Sequence, residues 1–120
     1  MTALDTVERF FTAYYSGDAA ATRDTITDDF SLIGPFAAAH SADEFFAVAE
    51  GLLTIVRGHR VLRTVVNGDD VAALYEIGIA GPAGIGWLPT GGWFTVTGDR
   101  VSSGQLIYDH ATFDAIVSPA

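Results

Sequence analysis

The spacing of the apolar residues changes once along this chain, at Gly58. Before Gly58, apolar side chains recur every three or four residues, as on one face of a helix, and after it they alternate. The first pattern predicts three helices, over residues 3–16, 19–26 and from 42, the last opened by the capping box Ser41-Ala42-Asp43-Glu44. The second predicts four antiparallel strands, over residues 59–66, 71–80, 92–97 and 101–112. Helices followed by such a meander indicate one α+β domain over residues 1–120, with the helices on one face of the sheet.

Residues that favour turns separate the predicted strands. Asn67-Gly68 and Gly98-Asp99 are suited to tight hairpin turns, which need positive backbone angles. Residues 81–91 are rich in glycine and proline, so they predict a long irregular loop. Gly34-Pro35 is expected to end a brief extended segment over residues 31–36.

The composition excludes several classes of function. The chain has no cysteine, which rules out disulfides, thiolate nucleophiles and sulfur-ligated metals. Its formal charge is −9 and all six basic residues are arginine, scattered along the sequence. Because phosphate backbones and anionic membranes attract clustered positive charge, we expect neither nucleic acid nor membrane as a partner. The three histidines have no companion at ligand spacing, so neither a metal nor another cofactor is expected.

The apolar segments are too short for targeting or membrane insertion. Residues 1–11 contain Asp5 and Glu8 where a signal peptide would be basic, and the stretch lacks an apolar core. The longest apolar run, residues 45–56, is interrupted by Glu50 and Gly51 and is shorter than a bilayer requires. A cytoplasmic location is therefore expected.

Alternation along the last two strands predicts which side chains share a face. If Gly98-Asp99 is a two-residue turn, one face carries Phe94, Val96, Gln105, Ile107 and Asp109. The opposite face then carries Trp93, Leu106, Tyr108 and His110. Asp109 and His110 consequently point apart and are not expected to form a catalytic dyad. An apolar outer face bearing Trp93, Leu106, Tyr108 and Ile77 predicts a homodimer.

The order of these segments resembles a known family. Ser16-Gly17-Asp18 ends the first helix, Thr27-Asp28-Asp29-Phe30 precedes Gly34-Pro35, and the meander ends in Leu106-Ile107-Tyr108-Asp109. Together they resemble the SnoaL-like polyketide-cyclase branch of the nuclear-transport-factor-2-like superfamily. The resemblance implies a cone in which a curved sheet wraps helices around an apolar pocket, usually in a homodimer. Superfamily members include cyclases, isomerases, epoxide hydrolases, dehydratases and proteins that only bind.

Comparison with the superfamily, residue by residue, argues against two activities for this chain. Where the ketosteroid isomerases have a catalytic Tyr and two Asp, this chain has Phe10, Gly34 and Gly92. Where the limonene-type epoxide hydrolases have an Arg and a second Asp, it has Glu76 and Gly78. Asp109 remains, at the position where SnoaL-like cyclases carry their base.

The resemblance therefore implies a small enzyme for an apolar, carbonyl-bearing molecule. Asp109 would be its general base, with a pKa raised by burial, and Glu76 would be a second carboxylate facing it. The predicted pocket residues are Phe10, Tyr14, Trp87, Phe94, Gln105 and Ile107. Alternatively, Asp109 caps a turn or pairs with an Arg, and Glu76 is an edge charge or a partner of Arg63. The domain is then a non-catalytic module that binds a small ligand or serves for dimerisation.

Overall fold

Four helices and six strands make up the part of the chain that the computed structural model describes, residues 1–35 and 37–119. In chain order these are α1 (Ala3–Tyr15), α2 (Ala19–Arg23), β1 (Ile26–Ile33), β2 (Ala38–Ala39), α3 (Ala42–Leu53), β3 (Val56–Asn67), β4 (Asp70–Gly81), β5 (Gly84–Thr97), β6 (Arg100–Tyr108) and α4 (His110–Val117). The predicted α+β class, with helices packed on a curved sheet, is confirmed. None of the described helices is long and apolar enough to cross a membrane.

Side-chain caps fix where the two long N-terminal helices begin. Thr2 and Asp5 form a reciprocal capping box at α1. At α3, the Ser41 hydroxyl accepts from the backbone N–H of Glu44 at 3.1 Å, as predicted. The Glu44 carboxylate was expected to accept from the N–H of Ser41. It accepts instead from the N–H of His40, one residue earlier, at 3.4 Å. These bonds satisfy N–H groups that have no partner within the helix.

The sheet is mixed, with the order β2-β1-β6-β5-β4-β3. Its central part is the predicted antiparallel meander, but β1 lies parallel to β6. The prediction of a helix to residue 26 and a short strand over 31–36 is wrong in its bounds, because α2 ends at Arg23 and β1 begins at Ile26. β-branched Ile26 and Thr27 suit a strand better than a helix.

The glycine-rich segment is not an irregular loop. β4 and β5 continue through it and join at a two-residue turn, with Gly81 paired to Gly84. Two of its glycines, Gly81 and Gly86, leave room for a neighbouring helix. A Cβ on Gly86 would lie 2.6 Å from Ile116 in α4, which real Cβ atoms do not tolerate. Gly81 and Gly86 are therefore required because α4 lies directly against this hairpin.

A β-bulge in β6 decides which side chains face the interior. Val96 pairs with Val101, but Thr95 pairs with Ser103, so Ser102 is an extra residue in β6. One extra residue exchanges the two faces for everything that follows, since the side-chain period is two. Leu106 and Tyr108 consequently face the interior, and the predicted faces are wrong from Ser103 onwards. The prediction assumed an unbroken ladder.

The chain leaves the sheet at Tyr108 and forms α4, which was not predicted. The structure replaces the end of the predicted strand over 101–112 with an N-cap at Asp109 and a helix from His110. Phe113, Ile116 and Val117 pack against the hydrophobic core from this helix.

An aromatic cluster fills the interior beside the sheet. Phe10 lies at its centre, 1 % exposed. Its ring centroid lies within 5.6 to 6.3 Å of the rings of Phe11, Tyr14, Phe30, Phe45 and Phe94. Phe94 is fully buried over Gly104, where a Cβ would lie 2.9 Å from its ring.

Candidate functional site

A cavity of about 360 Å³ lies between the helices and the inner face of the sheet. α1 contributes Tyr14 and Tyr15 to its wall, and α3 contributes residues that include Phe45 and Ala49. The sheet supplies branched apolar side chains, among them Ile77, Ile79, Leu88 and Leu106, and α4 supplies Phe113. The volume lies near the lower end of the range for small-molecule sites.

The chemistry of the cavity wall is almost entirely apolar. Among the described lining residues there is no Asp, Glu, His, Lys or Arg. The polar side-chain groups of the described wall are the hydroxyls of Tyr14, Tyr15 and Tyr108. Nor do the described residues contain a group of three or more His, Cys, Asp or Glu that could hold a metal ion. The described wall can therefore donate hydrogen bonds but offers no carboxylate or imidazole as a base.

Tyr14 contributes one of these hydroxyls from α1. Its ring stacks on Phe10 with an interplanar angle of 11°, and the residue is only 3 % exposed. The hydroxyl makes no hydrogen bond to any described residue. It is also not one of the completely buried polar atoms that lack a hydrogen-bond partner in the described residues, so its oxygen retains some accessible surface. It therefore remains accessible from the cavity. Burial, with a smaller contribution from Tyr108, raises its pKa, so the hydroxyl keeps its proton and is available as a donor.

Tyr15 belongs to both the cavity wall and the core. Its hydroxyl lies 2.8 Å from the hydroxyl of Tyr75, a residue of β4 that is fully buried and does not line the cavity. Burial is the largest cause that raises the pKa of each hydroxyl. Both phenols are therefore neutral donors at physiological pH.

Tyr108 ends β6 at the α4 side of the cavity. Its ring centroid lies 6.2 Å from that of Phe113. Partial burial raises the pKa of its hydroxyl. Tyr108 faces the cavity only because of the bulge at Ser102, since an unbroken strand would turn it outward.

Asp109 lies outside the cavity wall and caps α4. Its carboxylate accepts from the Thr112 hydroxyl at 2.7 Å and from the N–H of Ala111 at 3.2 Å. These bonds, that of Thr112 foremost, lower the pKa of Asp109. The predicted raised pKa is wrong because the side chain is exposed and accepts hydrogen bonds rather than being desolvated. The alternative reading, a carboxylate that caps the adjoining backbone, matches the structure.

Glu76 and Trp87 lie together on the outer face of the sheet. The Glu76 carboxylate is 4.0 Å from the guanidinium of Arg60, and that guanidinium lies 3.5 Å from the centroid of the Trp87 ring. Glu76 therefore neither faces Asp109 nor pairs with Arg63, and Trp87 does not cover the pocket. The alternative prediction that Glu76 pairs with an arginine holds, but the partner is Arg60 rather than Arg63.

Of the eight predicted site residues, Tyr14 alone lines the cavity. Phe10 and Phe94 belong to the aromatic core, and Gln105 and Ile107 are exposed on the outer face. The catalytic roles of Asp109 and Glu76 stay predictions, but the shared interior face on which they depended is absent. Tyr15 and Leu106 line the cavity but were not among the predicted pocket residues. Tyr15 could have been found as the neighbour of Tyr14 near the end of α1, whereas Leu106 required knowledge of the bulge.

Fold and cavity together define a small α+β protein whose helices and sheet enclose an apolar chamber. The chain belongs to the SnoaL-like domain family, whose pattern matches residues 7–104. No curated protein matches the chain by sequence.

Solved structures share this fold over almost the whole chain. A putative SnoaL-like polyketide cyclase from a Jannaschia species is 22% identical, with a TM-score of 0.81 over 98% of this chain and 93% of that one. A nuclear-transport-factor-2-like protein of unknown function from Cytophaga hutchinsonii is 17% identical, with a TM-score of 0.79 over 94% and 95%. TerC, co-crystallised with polyporic acid, is 12% identical, with a TM-score of 0.80 over 95% and 96%. At these identities the similarity establishes the fold.

Proposed function

We propose that this protein binds a small, uncharged, apolar molecule in the cavity between α1, α3 and the sheet. The observation that carries the proposal is the wall itself, in which no described residue bears a charge. Transfer of an apolar ligand from water into such a wall is favourable in proportion to the area buried. A charged ligand would lose its hydration without gaining a counter-ion.

The size of the cavity limits the ligand to a few fused or linked rings. A volume of about 360 Å³ suits a compact ligand rather than a long chain or a peptide. TerC, which shares the fold, was co-crystallised with polyporic acid, which supports small organic molecules as ligands of this fold. The net charge of −9 further disfavours anionic ligands.

The test uses two ligands of similar shape and different charge. Calorimetric titration with tetralin, a bicyclic hydrocarbon, should show saturable binding, whereas naphthoate should bind at least about tenfold more weakly, a difference of about 1.4 kcal/mol. Equal affinity for the two would contradict an uncharged site.

A matched pair of substitutions in α3 locates the binding. Ala49 lines the cavity and is buried, whereas Ala47, two residues earlier, is exposed and does not line it. Ala49→Leu should fill part of the cavity and weaken tetralin binding, and Ala47→Leu should leave it unchanged. Equal effects would place the ligand elsewhere.

A catalytic function in the same cavity is the second candidate, and the accessible Tyr14 hydroxyl is the observation that favours it. A neutral donor could polarise a bound carbonyl group. Abstraction of a proton would also need a base, and Asp109 is engaged in capping α4. Binding without turnover is therefore the better-supported function.

Deuterium exchange at the carbon next to the carbonyl of α-tetralone, followed by NMR, distinguishes binding from catalysis. Exchange accelerated by the protein and lost in Tyr14→Phe would favour an enzyme.

A homodimer formed through the outer face of the sheet accompanies this proposal. Val65, Leu74, Trp93 and Ile107 project from neighbouring strands there, each about half exposed or more. Of the four residues predicted for this patch, Trp93 lies in it, while Ile77, Leu106 and Tyr108 line the cavity. An apolar patch on a sheet face is typical of a protein interface. A second copy would cover this patch while leaving the cavity on the opposite face intact.

A further inference from the structure

We propose that Tyr14 and Tyr15 together form a two-donor site for one carbonyl oxygen, with Tyr75 as the positioning residue behind Tyr15. This inference rests on the proposed binding function, because it narrows the ligand to an uncharged apolar ketone or a related carbonyl compound. It depends on three observations. Tyr14 and Tyr15 line the cavity, the hydroxyls of Tyr15 and Tyr75 share a hydrogen bond, and the other hydroxyl protons of these three tyrosines have no acceptor among the described residues.

The two donors come from neighbouring positions of one helix. Tyr14 and Tyr15 are consecutive in the last turn of α1, both line the cavity, and their ring centroids are 4.9 Å apart. A carbonyl oxygen has two lone pairs and can accept two hydrogen bonds at once. Two adjacent phenols on a rigid helix suit that arrangement.

The count of hydroxyl protons shows an excess of donors at this end of the cavity. Tyr14, Tyr15 and Tyr75 carry three protons, and the described residues provide one hydrogen bond among these hydroxyls, between Tyr15 and Tyr75. Two protons are left for other acceptors. The Tyr14 proton can reach the cavity, so the destination of the second depends on the direction of the Tyr15–Tyr75 bond.

Both residues are buried, but only Tyr15 lines the cavity, and this difference favours one direction of the bond. If Tyr15 donated to Tyr75, the Tyr75 proton would lie in a fully buried site with no other described acceptor. Leaving a buried donor unpaired is costly. If Tyr75 donates to Tyr15, the proton left over belongs to Tyr15, which lines the cavity, so a bound ligand can accept it. Tyr75 therefore fixes Tyr15 as a donor to whatever occupies the cavity.

A carbonyl compound fits this donor pair better than other ligand classes. A hydrocarbon would cover both hydroxyls and leave their protons unpaired. A carboxylate would accept both, but no described lining residue offsets its charge. An uncharged ketone accepts both hydrogen bonds and places its apolar part against Leu88 and Leu106.

The experiment compares α-tetralone with tetralin, which has the same rings without the oxygen, in the wild-type protein and in Tyr75→Phe. Wild-type protein should bind the ketone about fivefold or more tightly than the hydrocarbon, the contribution of about one net hydrogen bond. Tyr75→Phe should lower ketone affinity about two- to threefold and leave tetralin affinity unchanged, because the cavity wall itself is not altered. Tyr15→Phe, which removes the donor, should lower ketone affinity further.

Infrared spectroscopy of the bound ketone gives a readout that a purely structural role of Tyr75 would not move. The carbonyl band of α-tetralone should lie at lower frequency in wild-type protein than in a hydrocarbon solvent. It should shift partly back in Tyr75→Phe and further back in Tyr15→Phe. Thermal unfolding of each variant confirms that it is folded.

The outcomes separate this inference from the proposed function. If tetralin and α-tetralone bind equally well to wild-type protein, the cavity binds apolar ligands but the donor pair does not act. A carbonyl band that is identical in wild type and Tyr75→Phe overturns the positioning role even if the variant affects stability. If neither ligand binds, both the proposed function and this inference are wrong.

Discussion

Leu106 and Ile107 are consecutive in the chain and lie on opposite faces of β6. Leu106 lines the cavity, whereas Ile107 projects from the outer face with 68% of its surface exposed. The bulge at Ser102 sets this assignment for the rest of the strand, since it shifts the pairing of β6 with β5 by one residue. The cavity wall and the proposed dimer face therefore depend on the same irregularity.

Alanine substitutions at this pair should have different effects. Leu106→Ala should lower the free energy of unfolding by about 2 kcal/mol and weaken tetralin binding, because it removes apolar contact from a partly buried wall. Ile107→Ala should change monomer stability by less than about 0.5 kcal/mol and leave ligand affinity unchanged. Urea unfolding at low protein concentration and calorimetry measure the two quantities. A larger loss from Ile107→Ala than from Leu106→Ala would show that the faces are reversed.

The parts of this fold that could be predicted are those whose cause is local in sequence. Ser41 with Glu44 marks a helix start, and Gly68 and Gly98 have the positive φ angles that their turns require. The period change at Gly58 also coincides with the passage from α3 into the long strands. Patterns of this kind depend on nearest neighbours, so they can be recognised without the tertiary structure.

What could not be predicted has its cause in distant contacts. Nothing in Ser102-Ser103 distinguishes a bulge from a regular strand, yet the bulge determines that Tyr108 faces the cavity. The glycines of β5 resemble a loop in sequence, yet Gly86 is needed to accommodate α4 and Gly92 to accommodate Phe94. α4 itself had a local signal that was overlooked: Asp109 in a capping position, followed by Phe113, Ile116 and Val117 at helical spacing.

The contact between Gly86 and α4 predicts a specific rescue. The three atoms nearest to an added Cβ at Gly86 all belong to the Ile116 side chain. Gly86→Ala should therefore destabilise the protein and increase hydrogen exchange in residues 110–117. In a protein that already carries Ile116→Ala, the same change should cost much less, and the double-mutant cycle should give a coupling energy of about 1 kcal/mol or more. Additive effects would mean that α4 does not pack on this hairpin.

His59 should make stability depend on pH in the weakly acidic range. Its ring packs between Phe11 and Tyr15, with centroids 5.7 and 5.5 Å away, and burial lowers its pKa below the ordinary 6.5. The unfolded chain then binds a proton that the folded protein resists, so stability is lost as the pH falls through and below about 6.5. Urea unfolding across this range should show a steeper loss for wild type than for His59→Gln. Parallel curves would exclude this effect.

The proposed homodimer predicts a change of mass on substitution of Trp93. Wild-type protein should scatter light as twice the 12.7 kDa of one chain. Trp93→Glu places a charge in the apolar patch and should give the monomer, because a buried unpaired carboxylate opposes association. Ile85→Glu is the matched control, since Ile85 is equally exposed but lies at the tip of the β4–β5 hairpin. A wild-type mass of one chain, or dissociation by both substitutions, would contradict this interface.

Asp109 should act on the stability of α4 and not on ligand chemistry. Its folded pKa is lowered by the bonds from Thr112 and Ala111, so the stabilisation is present above the ordinary carboxyl pKa and is lost as the pH falls through the folded value. Asp109→Asn keeps a side-chain oxygen for the cap and should retain most of the stability at neutral pH, whereas Asp109→Ala should lower the melting temperature and increase hydrogen exchange in α4. Neither change should alter the affinity for tetralin, because Asp109 lies outside the described cavity wall. If Asp109→Asn instead abolished turnover of a carbonyl substrate while the melting temperature stayed unchanged, Asp109 would be a base. The protein would then be an enzyme, and the proposed binding function would be wrong.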